Sequence, residues 1–337
     1  MSRDSNEIAS ALWIVAPGKA EIRRTAAPNP DAGSLRIRGL VSGISRGTES
    51  LVFNGKIPES EWQLMRCPFQ EGEFPFPVKY GYAMVGVVET GPAEKIGHRV
   101  FCLHPHQSRF TIPAEAAFAI PAEVSTERAV LVPQIETALN ATWDAAPRIG
   151  DRIAVVGAGV IGCLVAYLCS GILETAVTLI DTDEDRRDVA KVLGLAFATP
   201  SKGLPSGCDL VFHASGQAEG LDLGLSIAGF EATVIELSWY GITPVSIGLG
   251  GAFHSQRLTL RSSQVGHVAS DRRSRWSPRR RLALAVDLAA DPRLDVLVRE
   301  ETPFEALPAK LPSILGQPGA LCHLVRYPDH LVLHPKS

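Results

Sequence analysis

The sequence has few cysteines and no excess of either charge, and these shortages exclude several classes of protein. Its six cysteines are spread over 337 residues without a Cys-x-x-Cys pair, so no disulfide framework is expected. The formal net charge of −3 argues against a general nucleic-acid binder. Hydrophobic residues make up 45% and charged residues 20%, which excludes extensive disorder. We therefore expect a folded protein of about two domains in the reducing cytoplasm.

The sequence also lacks a recognisable targeting or membrane segment. Residues 1–10, MSRDSNEIAS, have neither the basic start nor the apolar core of a signal peptide. One uncharged stretch, the 21 residues from Ile153 to Leu173, is long enough to span a bilayer. Four glycines interrupt it, and it divides into a β-rich part and a helical part. We interpret it as a buried strand that continues into a buried helix, and we expect no membrane partner.

The N-terminal part of the chain, residues 1–127, is rich in short β-like runs. Turn residues separate these runs at short intervals, and examples are 35–44, 84–91, 98–105 and 109–115. This pattern is typical of a compact β-rich unit.

Residues 128–292 show a different pattern, in which apolar strands alternate with helices. The predicted strands cover 152–159, 176–182, 208–216, 232–240 and 256–264, and the predicted helices cover 125–146, 160–171, 183–194 and 277–291. Such alternation indicates a parallel sheet covered on both faces. Residues 293–337 return to strand-like runs, and we interpret them as rejoining the first unit.

A glycine motif opens the second unit. Gly157, Gly159 and Gly162 fit the pattern G-x-G-x-x-G, after an apolar strand and before an apolar helix. These glycines allow a tight turn, a close approach to a pyrophosphate and close packing of helix and strand. The helix start, with Val160 and Ile161, offers its N–H groups to the phosphates. The sequence therefore predicts a dinucleotide site here.

Two further segments belong to this predicted site. Asp181 ends the next strand, near the spacing of about 20 residues at which an acid binds the adenosine ribose. Acidic residues follow it, so we favour NAD over NADP. A helix N-cap is the alternative for Asp181. The segment 214–216, with Ala214, Ser215 and Gly216, ends a later strand and is a second predicted cofactor contact. An ordinary turn is the alternative there.

The order of units and several motifs resemble the medium-chain dehydrogenase/reductase superfamily. The motifs are SGISRGTES (42–50), KYGYAMVGVVETG (79–91), GHRVF (97–101), VVGAGVIG (155–162) and LVFHASG (210–216). The resemblance implies an α/β protein with a GroES-like, β-rich catalytic domain and a Rossmann domain with a doubly wound parallel sheet. The first motifs are most similar to the bacteriochlorophyllide dehydrogenase branch. By analogy with the superfamily we expect a homodimer.

The zinc ligands of the superfamily are missing from the matching positions. Ser45 stands where the zinc enzymes have a cysteine, and Tyr82 where they have a histidine. The third position lies near Pro133, with Glu136 as the nearest potential ligand. Since a stable zinc site needs three or four nitrogen or sulfur ligands, we expect no zinc.

Catalysis without a metal needs another acid, and hydroxyl groups stand at the matching positions. The resemblance makes Tyr82 a candidate general acid or base, with a pKa that a cationic nicotinamide could lower from its usual value near 10. Ser45 and Thr48 are candidates for a proton relay. The alternatives are a core tyrosine and turn-capping hydroxyls.

Four charged or titratable residues complete the candidate site. Arg46 and Glu49 are predicted to bind substrate, with a structural ion pair between them as the alternative. His106 is a candidate proton carrier, and solvation on a loop is its alternative. Glu136 is a candidate base, and a structural hydrogen-bond acceptor is its alternative.

Six arginines lie within ten positions near the last predicted helix of the second unit: Arg272, Arg273, Arg275, Arg279, Arg280 and Arg281. They could recognise a phosphate, a polycarboxylate or an acidic partner. A solvated helix start is the alternative. Trp276 keeps a substrate role open.

The sequence thus predicts a zinc-independent, NAD-dependent oxidoreductase that interconverts an alcohol and a carbonyl of a small molecule. Two alternatives remain. One is an NADPH-dependent quinone or enone reductase of the same superfamily. The other is a non-catalytic nucleotide-binding protein that retains the fold.

Overall fold

The computed structural model describes residues 7–317 and 321–328. Residues 1–6, in the segment without a signal-peptide pattern, and residues 329–337 of the predicted returning tail lie outside this range. The contacts divide the chain into two compact units. The first contains the described residues up to 131, then 298–317 and 322–328, and the second contains residues 132–297 and 321.

The first unit is built from short strands with one helix in the N-terminal part. In chain order these elements are β1 (Glu7–Ala16), β2 (Lys19–Ala27), β3 (Ser34–Ile44), α1 (Arg46–Phe53), β4 (Glu71–Gly72), β5 (Val78–Lys79), β6 (Met84–Thr90), β7 (Arg99–Cys102), β8 (Arg109–Pro113) and β9 (Ala117–Ala119). In the first part of strand β3, buried residues such as Leu35 and Ile37 alternate with half-buried ones. This alternation is that of a strand that packs one face on the core. The β-rich unit predicted for this part is confirmed.

The second unit alternates strands and helices. Its elements are α2 (Val132–Ala145), β10 (Arg152–Val156), α3 (Val160–Ser170), β11 (Ala176–Ile180), α4 (Arg186–Leu193), β12 (Ala196–Ala198), β13 (Cys208–His213), α5 (Ala218–Ile227), β14 (Ala228–Glu236), β15 (Thr259–Ser262) and α6 (Pro278–Leu288). The strands lie in the order β12-β11-β10-β13-β14-β15, and all pairs are parallel. The carboxyl ends of these strands therefore share one edge of the sheet.

Burial explains why this sheet forms. Four consecutive residues of β10, from Ile153 to Val156, are at most 4% exposed, so both faces of the strand are covered. The apolar stretch from Ile153 to Leu173 is thus strand β10 followed by helix α3, as predicted. Among the helices of the described residues, none combines the length and hydropathy that a bilayer crossing needs.

Local signals set several helix ends. Helix α6 begins after Ser277, whose hydroxyl accepts a hydrogen bond from the Arg280 N–H at 3.1 Å, and Pro278 occupies its first position. Helix α4 ends at Gly194, which adopts a left-handed conformation with φ +74°. Ser125 caps only a short 3-10 turn that precedes α2, so the helix predicted over 125–146 begins later than expected.

The last described elements of the chain are β16 (Val298–Pro303), α7 (Leu307–Gly316) and β17 (Cys322–Arg326). Strand β17 pairs in parallel with β16 and antiparallel with β3. The resulting sheet has the order β16-β17-β3-β6-β7-β9, with β8 paired to β3, and a second sheet has the order β2-β1-β5-β4.

Candidate active site

The glycine motif forms the turn between β10 and α3. Gly157 has φ +106°, and a side chain there would approach the Ser215 main-chain nitrogen to 2.6 Å. A Cβ at Gly162 would lie 1.8 Å from the Gly157 carbonyl oxygen, so this glycine allows the helix to pack on the strand. A Cβ at Gly159 would meet nothing within 4 Å. The first and third glycines therefore serve the fold, whereas the second leaves open space before the α3 N-terminus, as a pyrophosphate requires.

Asp181 lies beside this turn and ties two loops together. Its Oδ2 accepts a hydrogen bond from the Ala158 N–H at 2.6 Å, and its Oδ1 accepts one from the Asp183 N–H at 2.9 Å. It does not cap helix α4, which begins after Asp185. The alternative of a helix N-cap is therefore wrong, and the carboxylate stays at the mouth of the glycine turn.

A cavity of about 550 Å³ adjoins Asp181. It is lined by Val156, Gly157, Ile180, Asp181, Thr182, Pro200, Ser215, Gln217, Glu219, Gly220, Asp222, Leu223 and Ser226. Three of these residues are acidic. The basic residues nearby already have partners, since Arg186 pairs with Asp183 at 3.3 Å and Arg187 with Glu184 at 2.6 Å. The lining of this cavity is therefore negatively charged.

Ser215 belongs to a hydrogen-bonded chain that we name the edge network: Ser215, His213 and Glu236. The Ser215 hydroxyl lies 2.6 Å from His213 Nε2, and His213 Nδ1 lies 2.8 Å from Glu236 Oε2. His213 and Glu236 end neighbouring strands in direct register. Burial raises the pKa of Glu236, but the hydrogen bond and charge of His213 outweigh it and leave this pKa lowered. The Glu236 carboxylate accepts the Nδ1–H, and whenever the His213 ring is neutral its Nε2 accepts the hydroxyl proton of Ser215.

The rest of the segment 214–216 is held by its neighbours. The Ala214 N–H donates to the Val156 carbonyl at 2.8 Å, and the Gly216 N–H donates to the Ser238 hydroxyl at 3.1 Å. Val160 and Ile161, in the first turn of α3, are half-buried. The predicted cofactor residues of the second unit thus come together at the carboxyl edge of its sheet.

The first unit contains a second Ser–His–Glu chain, extended by a tyrosine, which we name the sealed network: Ser42, His106, Glu49 and Tyr327. His106 Nε2 lies 3.0 Å from Glu49 Oε2, and His106 Nδ1 lies 2.7 Å from the Ser42 hydroxyl. The Tyr327 hydroxyl lies 3.1 Å from the same oxygen of Ser42. All four residues are at most 5% exposed. The expectation of a solvated His106 is therefore wrong, because this side chain is held inside the unit by Glu49 and Ser42.

The three candidate hydroxyl groups meet beside the sealed network. Hydrogen bonding by the Ser45 and Thr48 side chains acts to lower the pKa of the Tyr82 phenol. Burial raises the pKa of Tyr82 to about 12, although these hydrogen bonds oppose the rise, and the nearby Glu49 carboxylate adds to it. The phenol is therefore neutral at pH 7 and can donate a proton.

Arg46 and Glu49 have different partners. The Glu49 carboxylate accepts the Ser45 N–H at 2.7 Å and faces His106, whereas Arg46 donates to the Gln317 carbonyl oxygen at 3.3 Å. Glu49 thus belongs to the interior, and Arg46, which is half-buried, is the better placed of the two for a substrate.

Glu136, the candidate base, is engaged in the second unit. Its carboxylate lies 3.0 Å from the Arg281 guanidinium, and both side chains are buried. Burial raises the pKa of Glu136, while the charge of Arg281 opposes the rise. With these contacts, Glu136 acts as a structural hydrogen-bond acceptor, which was the alternative to a catalytic base. Arg281 also departs from the arginine run, because it is 2% exposed instead of solvated.

The residues at the positions that the resemblance matches to zinc ligands do not fit that metal. Ser45 and Tyr82 offer neutral oxygens, and Glu49 is already bound to His106. His104 stacks on Phe110 with ring centroids 3.7 Å apart, and burial lowers its pKa to about 3. Within residues 7–317 and 321–328, no group of three or more His, Cys, Asp or Glu side chains could hold a metal ion.

Sequence reasoning missed Ser42, Tyr327, His213, Glu236 and the inward direction of Arg281. His213 and Glu236 left a signal, because each is a polar residue directly after an apolar run within a predicted strand, and strands β13 and β14 end at these residues. The carboxyl ends of neighbouring parallel strands meet at one edge, so their pairing could have been expected.

Curated proteins with similar sequences include dehydrogenases. Starvation-sensing protein RspB of Escherichia coli K12 is 23% identical over 232 residues, which cover 58% of this chain and 64% of RspB. L-threonine 3-dehydrogenase of Yersinia enterocolitica is 31% identical over 118 residues, 35% of this chain and 34% of that enzyme. The chain therefore matches less than two thirds of the length of either relative. No protein-family model matches the chain.

Solved structures match over nearly the whole chain. An alcohol dehydrogenase, RspB of E. coli CFT073 with NADH, has a TM-score of 0.73 at 18% identity and covers 95% of this chain and 99% of its own. A dehydrogenase of Sinorhizobium meliloti 1021 bound to NADP has a TM-score of 0.73 at 19% identity, with the same coverage. An alcohol dehydrogenase zinc-binding domain protein of Burkholderia ambifaria has a TM-score of 0.72 at 18% identity, covering 96% and 100%.

These likenesses show the fold. The chain has the α/β architecture of alcohol dehydrogenase-like medium-chain dehydrogenases, with a GroES-like unit and a Rossmann unit, as the sequence predicts.

Proposed function

We propose that this protein is a zinc-independent oxidoreductase that binds NAD and interconverts an alcohol and a carbonyl of a small molecule. One observation carries the proposal. The turn between β10 and α3 has two glycines that packing requires and a third, Gly159, that leaves space, beside a cavity bounded by Asp181 and Ser215. Relatives that bind NADH or NADP support a nicotinamide cofactor.

The preference for NAD rests on charge. Asp181, Glu219 and Asp222 line the cavity, and a 2′-phosphate there would meet negative charge. The neighbouring Arg186 and Arg187 are paired with acidic residues. We therefore expect NADH to bind at least tenfold more tightly than NADPH.

The proton chemistry belongs to the first unit. A bound nicotinamide supplies or accepts the hydride. Tyr82 holds its proton firmly and donates it to the oxygen of a carbonyl during reduction, while the hydroxyls of Ser45 and Thr48 hydrogen-bond to the phenol and return a proton to it. Arg46 is the candidate to bind a substrate anion, and His106 and Glu49 support Tyr82 from the interior.

Three further parts of the proposal extend it. The hydroxyl groups at Ser45 and Tyr82 support the zinc-free branch with motifs like those of bacteriochlorophyllide dehydrogenases. The six cysteines are free and buried, which supports a reducing compartment such as the cytoplasm. A homodimer without nucleic-acid or membrane partners is proposed by analogy.

Gly159→Val tests the cofactor site. Because a side chain at Gly159 meets no protein atom within 4 Å, the variant is expected to fold normally and to lose NADH affinity at least tenfold. Gly47→Val, at another glycine with open space, is the control and should bind NADH as the wild type does. Calorimetric titration with NADH and NADPH measures both. Failure of the wild type to bind either nucleotide at millimolar concentration would overturn the proposal.

A turnover panel separates the alternatives. Oxidation of alcohols with NAD supports the proposed reaction. Preference for NADPH with turnover of quinones or enones would replace it by the reductase, and NADH binding without turnover of any compound would replace it by a non-catalytic protein.

A further inference from the structure

The second unit contains another cavity, of about 520 Å³, beyond the carboxyl end of β15. It is lined by Gly266, His267, Val268, Arg273, Ser274, Arg275, Trp276, Ser277 and Pro278. None of these residues is acidic. The cavity near Asp181 is acidic, so the two cavities of the same unit have opposite charge.

The positive charge of this cavity is available for a ligand. Of the arginine run, Arg281 is neutralised by Glu136, and Arg272 lies 3.8 Å from Asp271. Arg273 and Arg275 line the cavity, and within the part of the chain that the structure describes neither guanidinium has an ion-pair partner. Two guanidinium groups in one cavity match a doubly charged anion better than a single carboxylate.

The walls of the cavity are held rigidly. The buried Arg281 donates hydrogen bonds to the Val265 and His267 carbonyls, which fixes the strand-side wall. On the helix side, the Arg280 guanidinium lies 3.9 Å from the centre of the Trp276 ring, and Trp276 also packs on Trp143 at 4.8 Å. These contacts fix the backbone and the tryptophan of the walls, whereas the exposed Arg273 and Arg275 side chains become ordered when an anion binds.

The location suggests which molecule brings the anion. Asp181 and Ser215, at the proposed adenosine end, follow β11 and β13, while this cavity follows β15 at the far end of the sheet order. A dinucleotide whose pyrophosphate lies at the α3 N-terminus extends its nicotinamide away from β11, toward β14 and β15.

We propose that the basic cavity binds the phosphate group of a phosphorylated substrate. A phosphate monoester carries about −1.5 to −2 charges at pH 7 and accepts bidentate hydrogen bonds from guanidinium groups. The substrate assignment rests on the proposed function, but anion binding does not.

Titration of the full-length protein with inorganic phosphate at constant ionic strength tests the cavity. Tryptophan fluorescence reports through Trp276, and calorimetry gives an independent Kd. We expect saturable binding, weakened at least tenfold in Arg273→Gln/Arg275→Gln. The double variant Arg257→Gln/Arg279→Gln removes the same charge outside the lining and should change the Kd less than twofold. Circular dichroism confirms that both variants are folded.

Four results would overturn the proposal: no saturation by tens of millimolar phosphate, equal weakening in the two double variants, acetate binding as tightly as phosphate, or displacement of phosphate by NADH. The last would assign the phosphate to the cofactor pyrophosphate site. Unchanged phosphate binding in protein saturated with NADH supports a separate substrate site. A protein that binds phosphate but no NADH would overturn the proposed function and leave this anion site standing.

Discussion

The sealed network and the edge network use the same three residue types and differ in what their serine faces. In the sealed network, the Ser42 oxygen contacts His106 and Tyr327 and is 0% exposed. In the edge network, Ser215 lines the acidic cavity. A Ser–His–Glu chain therefore has no fixed role, because the burial of its serine decides whether a ligand can reach it.

Ser215 and Ser42 also differ in whether their hydroxyl groups can accept a further hydrogen bond. The Ser215 hydroxyl donates to His213 and accepts the Gln217 N–H at 3.2 Å. Because a hydroxyl oxygen can accept two hydrogen bonds, one position remains for a ligand in the cavity. Ser42 has no open space around it, so the sealed network contributes to stability and positions its neighbours. It supports Tyr82 through Glu49, which accepts the Ser45 N–H.

The largest expected effect is that of matched alanine variants of the two histidines. His106→Ala removes the partner of Glu49 Oε2 and leaves this buried carboxylate with the Ser45 N–H alone, and we expect a loss of about 3 kcal/mol or more. His213→Ala leaves Glu236 bonded to the Ser238 N–H, and we expect about 1–2 kcal/mol. Urea unfolding measures both. In His213→Ala the NADH affinity should fall severalfold, whereas folded His106→Ala should retain it. Equal stability losses with equal NADH affinities would remove the distinction between the networks.

Tyr82→Phe tests what the sealed network supports. We expect kcat for carbonyl reduction to fall about 100-fold because the proton donor is lost, with NADH affinity unchanged. Tyr80→Phe, whose hydroxyl donates to the Met65 carbonyl at 3.3 Å, is the control and should retain activity.

The pH dependence of activity sharpens this test. Since the pKa of Tyr82 is raised to about 12, its phenol stays protonated below pH 10, and kcat should show no inflection from Tyr82 between pH 6 and 10. An inflection in this range that disappears in Tyr82→Phe would contradict the raised pKa of Tyr82. Because folding raises the Tyr82 pKa, the contribution of Tyr82 to the stability of the folded state is complete below its unfolded pKa near 10. This contribution is lost as the pH rises toward 12.

Gly220→Ala is a smaller perturbation of the edge network alone. The added Cβ would lie 2.3 Å from the Ser215 hydroxyl and 2.9 Å from His213 Nε2, so their hydrogen bond must shift. We expect NADH affinity to fall about tenfold, measured by calorimetry. Gly47→Ala, where a Cβ meets nothing, is the matched control and should leave the affinity unchanged. A variant that binds NADH like the wild type would show that Ser215 does not contact the cofactor.

The cofactor turn could be predicted from the sequence because its determinants are local. A buried strand, three glycines and a helix follow one another between Arg152 and Ser170, and Asp181 follows the next strand. The alternation of strands and helices likewise gives the parallel sheet.

The sealed network could not be predicted, because its contacts join distant residues. His106 lies 57 positions from Glu49 and 64 from Ser42, and Tyr327 lies 285 positions from Ser42. Arg281, in the arginine run, also binds residues that are distant in the sequence. Arg279 and Arg280 are exposed, whereas Arg281 faces the core, where it binds Glu136 and Asn140, 145 and 141 positions away.

The smallest expected effect is the acid response of Glu236→Gln in the edge network. Burial raises the Glu236 pKa, but the hydrogen bond and charge of His213 outweigh burial and lower this pKa below its unfolded value near 4.5. The ionised carboxylate therefore stabilises the folded state at pH values above 4.5. This stabilisation is lost as the pH falls through the folded pKa. We expect the wild type to exceed Glu236→Gln by about 1 kcal/mol at pH 7 and by less at pH 4, measured by urea unfolding. Glu231→Gln, in an exposed pair with Arg257, is the control, and its smaller effect should not exceed about 0.5 kcal/mol. A difference that grows toward acid pH would mean that Glu236 is protonated at neutral pH, and the tautomer assigned to His213 would then be reversed.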